Sequence, residues 1–265
     1  MALSNIEKHY NKHPEDLRLL RRHGMVEFET TMYHLHRFLE ERLQKQSKNE
    51  IKILDIGAGT GRYASALMAE GYSVKAIELV QRNIDVFLKR EPSADVMKGD
   101  ARDLSFIPTA TADITLLLGP LYHLMGDAEK LKALKEAKRV TKPGGLIFVA
   151  YLMNEYSILS YCFDEERIGD LMKNGFVDQD FHIQSQEGEL YDYVRLEDVN
   201  RLNEYAGLER VIVFSPDGAA DYMRTRLNRM SEETFALFLA YQKHISERPD
   251  LIGAGSHIVD VVRVL

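Results

Sequence analysis

A chain of 265 residues has room for one large domain, or a core with a small appendage. Hydrophobic residues at 45% and charged residues at 28% exclude a disordered chain, and no apolar run approaches the ~18–20 residues a bilayer span needs. The formal charge of −7 argues against a nucleic-acid substrate, which binders meet with a basic face. The single cysteine, Cys162, excludes an internal disulfide framework and a cysteine-based zinc cluster.

The opening Met1-Ala2-Leu3-Ser4-Asn5-Ile6-Glu7-Lys8 turns polar at once and lacks the apolar core of a secretion signal, so a cytoplasmic protein with no membrane partner is expected. Residues 5–45 read as helical, with Leu17, Leu20, Met25, Phe28, Met32, Leu35, Phe38, Leu39 and Leu43 at three- and four-residue steps. His13-Pro14-Glu15-Asp16 looks like a helix start, and Gly24 is expected to break the stretch. Residues 1–50 are therefore taken as an N-terminal helical lid.

From residue 51 short apolar runs alternate with helical segments. Strands are predicted over 51–56, 72–79, 94–98, 113–118 and 146–152. Helices are predicted over 62–70, 81–90 and 128–140, with Lys142-Pro143-Gly144-Gly145 as a tight turn. Near-continuous apolar strands between helices point to an α/β, Rossmann-like, mostly parallel sheet covered on both faces. After 153 the alternation stops. A helix over 155–173 precedes two runs, 176–184 and 190–196, read as a hairpin, so 154–195 is expected to be an inserted helix-hairpin cap. A helix (197–206), a strand (208–214), two helical stretches (219–228 and 232–247) and a strand (257–265) follow, making 51–153 and 196–265 the core.

The first strand runs into Leu54-Asp55-Ile56-Gly57-Ala58-Gly59-Thr60-Gly61. Glycines there let a ligand press on bare backbone beside the free N–H groups of the next helix. The spacing is G-x-G-x-G, not the G-x-G-x-x-G of a pyrophosphate site. Asp55 would repel a pyrophosphate but suits the ammonium of an amino-acid moiety. Glu78 ends the second strand, where an acid accepts both hydroxyls of a ribose. Asp100 follows the third and can take an adenine amino group, with the Ala101 N–H on a ring nitrogen, while Asp103 caps a turn.

Leu54–Gly61, Glu78, Gly99–Leu104 and Arg139-Val140-Thr141-Lys142-Pro143-Gly144-Gly145 resemble the successive motifs of class I S-adenosylmethionine-dependent methyltransferases. The resemblance implies a seven-stranded sheet with its last strand antiparallel. It places Gly57, Gly59 and Gly61 beside the methionine part of S-adenosylmethionine, Glu78 at the ribose, and Asp100 with Ala101 at the adenine; S-adenosylhomocysteine is the product. Leu118-Gly119-Pro120-Leu121-Tyr122-His123-Leu124 closes the fourth strand and resembles a stretch of bacterial small-molecule members. Leu118, Gly119 and Pro120 leave room near the sulfonium, and Tyr122 and His123 face the acceptor. His123 titrates in the range of a general base; a cofactor contact and a packing role stay open beside it. In similar proteins an N-terminal Tyr and Arg cover the cofactor, which puts Tyr10 and Arg18 on the lid. The expected activity is in-line methyl transfer to the O or N atom of a small-molecule acceptor. An RNA or protein methyltransferase and a non-catalytic cofactor-binding protein are the alternatives. The dense aromatics Tyr151, Tyr156, Tyr161, Phe181, Tyr191 and Tyr193 could wall an acceptor pocket. No metal is expected, His182 and His244 having no ligand-spaced partners, and the chain is expected to be a monomer or homodimer.

Overall fold

The computed structural model describes residues 5–12, 21–186 and 188–265; Arg18 and the helix start at His13 lie outside them. In chain order, α1 (Asn5–Lys12) and α2 (Arg22–Leu43) precede β1 (Lys52–Ile56), α3 (Arg62–Ala69), β2 (Ser73–Glu78) and α4 (Gln81–Arg90). Then come β3 (Asp95–Lys98), β4 (Ala112–Leu117), a 3-10 turn (Pro120–His123), α5 (Gly126–Val140) and β5 (Thr141–Leu152). The chain goes on through α6 (Asn154–Ser157), a π-helical turn (Ile158–Phe163), α7 (Ile168–Lys173) and α8 (Leu196–Ala206). It finishes with β6 (Glu209–Phe214), α9 (Arg224–Leu227), α10 (Glu232–Ile245) and β7 (His257–Arg263).

The strands form one seven-stranded sheet in the order β3-β2-β1-β4-β5-β7-β6. All neighbours are parallel except β7, which runs antiparallel between β5 and β6. Its period-two burial explains the layers. Leu54 and Ile56 join Ile147 and Val149 against α5 and α8 on one face, while Ile53 joins Ile114 and Phe148 against α2 and α3 on the other. The chain leaves β1 towards β2 and β3, then returns to lay β4 on the other side of β1. This order creates a switch point at the carboxyl ends of β1 and β4, where sheets of this kind open a crevice. No helix among the described residues is long and apolar enough to cross a membrane.

Four details differ from the sequence reading. Gly24 does not break the helix; it is buried in the first turn of α2, which begins at Arg22. Leu35 and Leu39 of α2 are fully buried against the sheet, where truncation to alanine costs about 2–5 kcal/mol. That is a core helix, so the lid narrows to α1. The turn at Lys142–Gly145 lies within β5 as a bulge, four residues opposite Asp113, whose carboxylate accepts from the Lys52 N–H (2.9 Å) and Lys142 Nζ (2.8 Å).

The fourth is the cap. The runs 176–184 and 190–196 do not pair as a hairpin: Val177 bridges Ile183 within the first run, and Val194 bridges Met153 beside the end of β5. The Asp178 carboxylate causes the first, accepting from the N–H groups of Asp180 and His182 (both 2.9 Å) and curling the run on itself. The helix expected over 155–173 is likewise divided into α6, the π-helical turn and α7.

Candidate functional site

A cavity of about 1080 Å³, open mouth included, lies at the switch point, large enough for a nucleoside-sized ligand by the ~300–1,000 Å³ of typical ligand sites. Each wall is the end of a parallel strand. The loop after β1 supplies Gly57, Ala58, Gly59 and Thr60; β2 ends in Glu78, Leu79 and Val80; the turn after β3 gives Gly99–Arg102; and the end of β4 gives Leu118–Pro120, Tyr122, His123 and Leu124. Ile6 and Tyr10 of α1 and Glu27 of α2 cover the opening.

Two of the loop glycines have separate reasons. A Cβ on Gly57 would stand 2.5 Å from Pro120 Cγ, so its absence lets the β1 and β4 loops touch. A Cβ on Gly61 would stand 2.4 Å from the Phe87 ring, and Gly61 does not line the cavity. Gly61 therefore seats α4 against α3 with its φ of 79°, and its expected place at the cofactor is corrected to a packing role behind the loop.

Asp55 is buried, and its Oδ2 has no hydrogen-bond partner in a cavity wall. Burial pushes its carboxyl up to about 7, the nearby Glu78 charge adds to this, and the Ala64 N–H opposes it. A buried acceptor with nothing to accept from is costly unless a ligand donor completes it. Glu78 is held differently. Its Oε2 accepts from the Gly59 N–H (2.8 Å), and its Oε1 from the Val80 N–H (2.8 Å) and Asn83 Nδ2 (3.2 Å). Burial raises its pKa against those three bonds. Asp100 is engaged by the guanidinium of Arg102 (Nη2 to Oδ2, 2.6 Å), which also reaches Glu129 (2.6 Å). Asp103 caps the turn as expected, accepting from the Ser105 N–H at 3.1 Å.

Tyr10 and His123, 113 residues apart, meet at 2.8 Å between the phenol oxygen and Nε2. His123 Nδ1 lies 2.8 Å from the Leu190 carbonyl, which only accepts, so Nδ1 carries the proton and Nε2 accepts from Tyr10. Burial lowers the imidazole to about 4, the Leu190 bond opposing and His9 adding, so His123 is neutral at physiological pH. The Tyr191 ring stacks on it at 5.2 Å, and Tyr122 stands edge-on at 4.9 Å. The Leu190 segment is fixed by Asp192, which accepts from the Gly126 N–H (2.8 Å) and pairs with the buried Lys130.

Sequence reasoning missed Glu27, Arg62 and Asn83. Arg62 had a signal, since it opens α3 beside the glycine loop; its guanidinium lies 4.5 Å over the Phe28 ring and lines the cavity. Asn83 had a weaker one, standing one helical turn beyond the end of β2. Glu27 had none. Among the described residues, one group of three side chains has metal-like spacing: Asp217, Asp221 and His257, with ligand atoms within 4.8 Å of one another.

The donor set fits an amino-acid nucleoside better than a dinucleotide. Buried Asp55 and Glu78 oppose a pyrophosphate. Arg62 and the unpartnered Asp55 oxygen give one cation and one anion for an α-amino acid, and Leu79, Val80 and Ala101 give apolar walls for a base. Comparison with known proteins agrees. Residues 54–149 match the family model described as Methyltransferase domain. Demethylmenaquinone methyltransferase of Renibacterium salmoninarum is 35% identical over 99 residues, 37% of this chain and 40% of that protein. Cypemycin N-terminal methyltransferase of a Streptomyces species is 32% identical over 99 residues, 37% of this chain and 40% of that protein. The chain thus spans about two fifths of the length of these curated relatives. An S-adenosylmethionine-dependent methyltransferase structure from Thermotoga maritima covers 98% of this chain and 99% of its own at 19% identity, with a TM-score of 0.57, which shows the fold. Residues 54–149 are a methyltransferase domain on a Rossmann-like methyltransferase fold, and the cofactor this implies is S-adenosylmethionine.

Proposed function

We propose that the chain is an S-adenosylmethionine-dependent methyltransferase that moves a methyl group to an O or N atom of a small-molecule acceptor. The observation that carries this is the buried Asp55 carboxylate, its Oδ2 unpartnered in a cavity built by the ends of β1, β2, β3 and β4. When bound, the cofactor supplies an already activated methyl group on a sulfonium. The protein's share is alignment and exclusion of water.

Asp55 holds the amino group and Arg62 the carboxylate of the cofactor's amino-acid end. Glu78, braced by Asn83, accepts from the ribose, and Asp100 with Ala101 borders the base. Gly57, Ala58, Gly59, Leu118 and Gly119 keep the backbone close to the reacting sulfur. Tyr10 closes the site by its bond to His123, so α1 acts as a strap, and Arg18 is assigned to the same strap. With Nδ1 and Nε2 both engaged, His123 and Tyr122 serve as wall and latch. The relatives named for demethylmenaquinone and for cypemycin support modest acceptors over duplex or folded RNA. A monomer or homodimer working in the cytoplasm, without nucleic acid, membrane or metal, completes the proposal. Residues 154–195 are assigned as the cap over the acceptor.

The test is a labelling experiment. Cofactor carrying a 13C methyl group is incubated with the protein and a fractionated cell extract. Label should appear in the small-molecule fraction together with S-adenosylhomocysteine. Label confined to RNA or protein would overturn the acceptor class.

A further inference from the structure

The methyl-transfer reading leaves open which group takes the acceptor's proton, and His123 is occupied on both nitrogens. A second histidine stands at the same edge of the sheet. β7 is antiparallel, so its first residue, His257, pairs with Leu152 at the carboxyl end of β5. Asp217 lies just beyond the carboxyl end of β6. The topology therefore returns two distant chain positions to the ligand side.

Asp217 is buried, and its Oδ2 lies 2.7 Å from His257 Nδ1 while also accepting from the His257 backbone N–H at 3.1 Å. A carboxylate only accepts, so Nδ1 carries the proton and the lone pair of the neutral ring is on Nε2. The His257 side chain is 11% exposed. Its ring lies 6.1 Å from that of Tyr122, a cavity wall whose hydroxyl donates to the Leu118 carbonyl at 3.3 Å. Asp221, paired with Arg224 (3.0 Å), faces His257 from the loop after β6, and Glu27 of α2, another cavity wall, acts electrostatically on Asp217. Burial pushes the Asp217 carboxyl up to about 6, opposed by its bond to and the charge of His257, with Asp221 and Glu27 adding. A histidine backed by a buried carboxylate is fixed in one tautomer and has a counter-charge for the imidazolium it forms. His123 has only a carbonyl behind it.

We propose that His257, oriented by Asp217, is the proton acceptor for the methyl acceptor, with Asp217 as its positioning residue; this rests on the methyltransferase reading. The heteroatom–hydrogen bond of the acceptor breaks and its proton goes to Nε2. The heteroatom's electron pair forms the new bond to carbon as the sulfur–methyl bond breaks and returns its pair to sulfur. The cationic sulfonium becomes a neutral thioether, the positive charge passes to the imidazolium, and water later takes the proton.

The test needs no identified acceptor. Sinefungin carries an amine-bearing carbon where the cofactor has its methylated sulfur, so it presents an ammonium donor at the transfer point. S-adenosylhomocysteine does not. Calorimetry of both on the full chain should show tighter binding of sinefungin, a preference that fades at acid pH as the imidazole protonates. In His257→Gln the preference should fall about tenfold, the loss of one hydrogen bond to a charged group, with S-adenosylhomocysteine affinity unchanged. Asp217→Asn should lower the preference in the same direction and alter its pH profile. An equal preference in wild type and both variants overturns the proposal, as does a parallel loss of both ligands in His257→Gln, which marks a structural role. Absence of S-adenosylhomocysteine binding by the wild type overturns the methyltransferase reading itself.

Discussion

Replacing Asp55 by Asn keeps the shape of the side chain and removes its charge. In the wild type the buried Oδ2 has no partner, and burial with Glu78 nearby pushes the carboxyl up to about 7. An ammonium donated by the cofactor's amino-acid end would complete it, a charge-assisted hydrogen bond worth about 1.5–3 kcal/mol. Its loss should weaken S-adenosylmethionine about 10- to 100-fold. The sign of the pH dependence follows from the raised pKa. Below about pH 7 the carboxyl is protonated in the free protein, and it must ionise to pair with an ammonium. Wild-type affinity should therefore fall about tenfold per pH unit below 7 and level off above it. Calorimetry at pH 6 in buffers of different ionisation enthalpy should detect a proton released on binding, and Asp55→Asn should release none. Without cofactor the variant should gain stability over the wild type as pH rises towards 7, because the unpaired charge is gone. Equal affinities for the two proteins, or a flat wild-type profile between pH 5 and 8, would refute the assignment of Asp55.

Three further outcomes are expected. Gly61→Ala, which drives a Cβ to 2.4 Å from the Phe87 ring, should cost about 1–3 kcal/mol by overpacking, read as a lowered midpoint in denaturant, and no change in stability would refute the packing role. His123 is held at about 4 in the folded protein, so the unfolded chain takes up a proton the folded one refuses. Stability should thus fall between about pH 6.5 and 4, and His123→Gln should flatten that fall by up to about 1 kcal/mol per pH unit, measured by denaturation at several pH values. Asp192→Ala leaves the buried Lys130 ammonium without its carboxylate and should cost about 3–5 kcal/mol; if the variant still folds, proteolysis should cut the 184–193 segment faster.

Much of the sheet was legible because each strand of its parallel part is an apolar run with turn chemistry on either side. The β4 segment, Ala112–Leu117, is buried at all six positions, and no surface strand reads that way. The acids at Asp55, Glu78 and Asp100 were legible for the same reason, as each ends or follows a strand. What failed depended on contacts between distant segments. The periodicity of α2 showed an apolar face but not that Leu35 and Leu39 meet the sheet rather than a closing lid. The hairpin failed because Asp178 offered its run a local partner stronger than pairing with 190–196. Gly61 reads identically whether it clears space for a ligand or for Phe87. Asp217 and His257 carry no motif at all; the antiparallel return of β7 alone brings them together.

The central claim is tested most directly by calorimetry of the full chain with S-adenosylhomocysteine and, separately, with a nicotinamide dinucleotide. One S-adenosylhomocysteine bound per chain, weakened by Asp55→Asn, with no dinucleotide binding, is the predicted result. Failure to bind S-adenosylhomocysteine, or tighter binding of the dinucleotide, would contradict it.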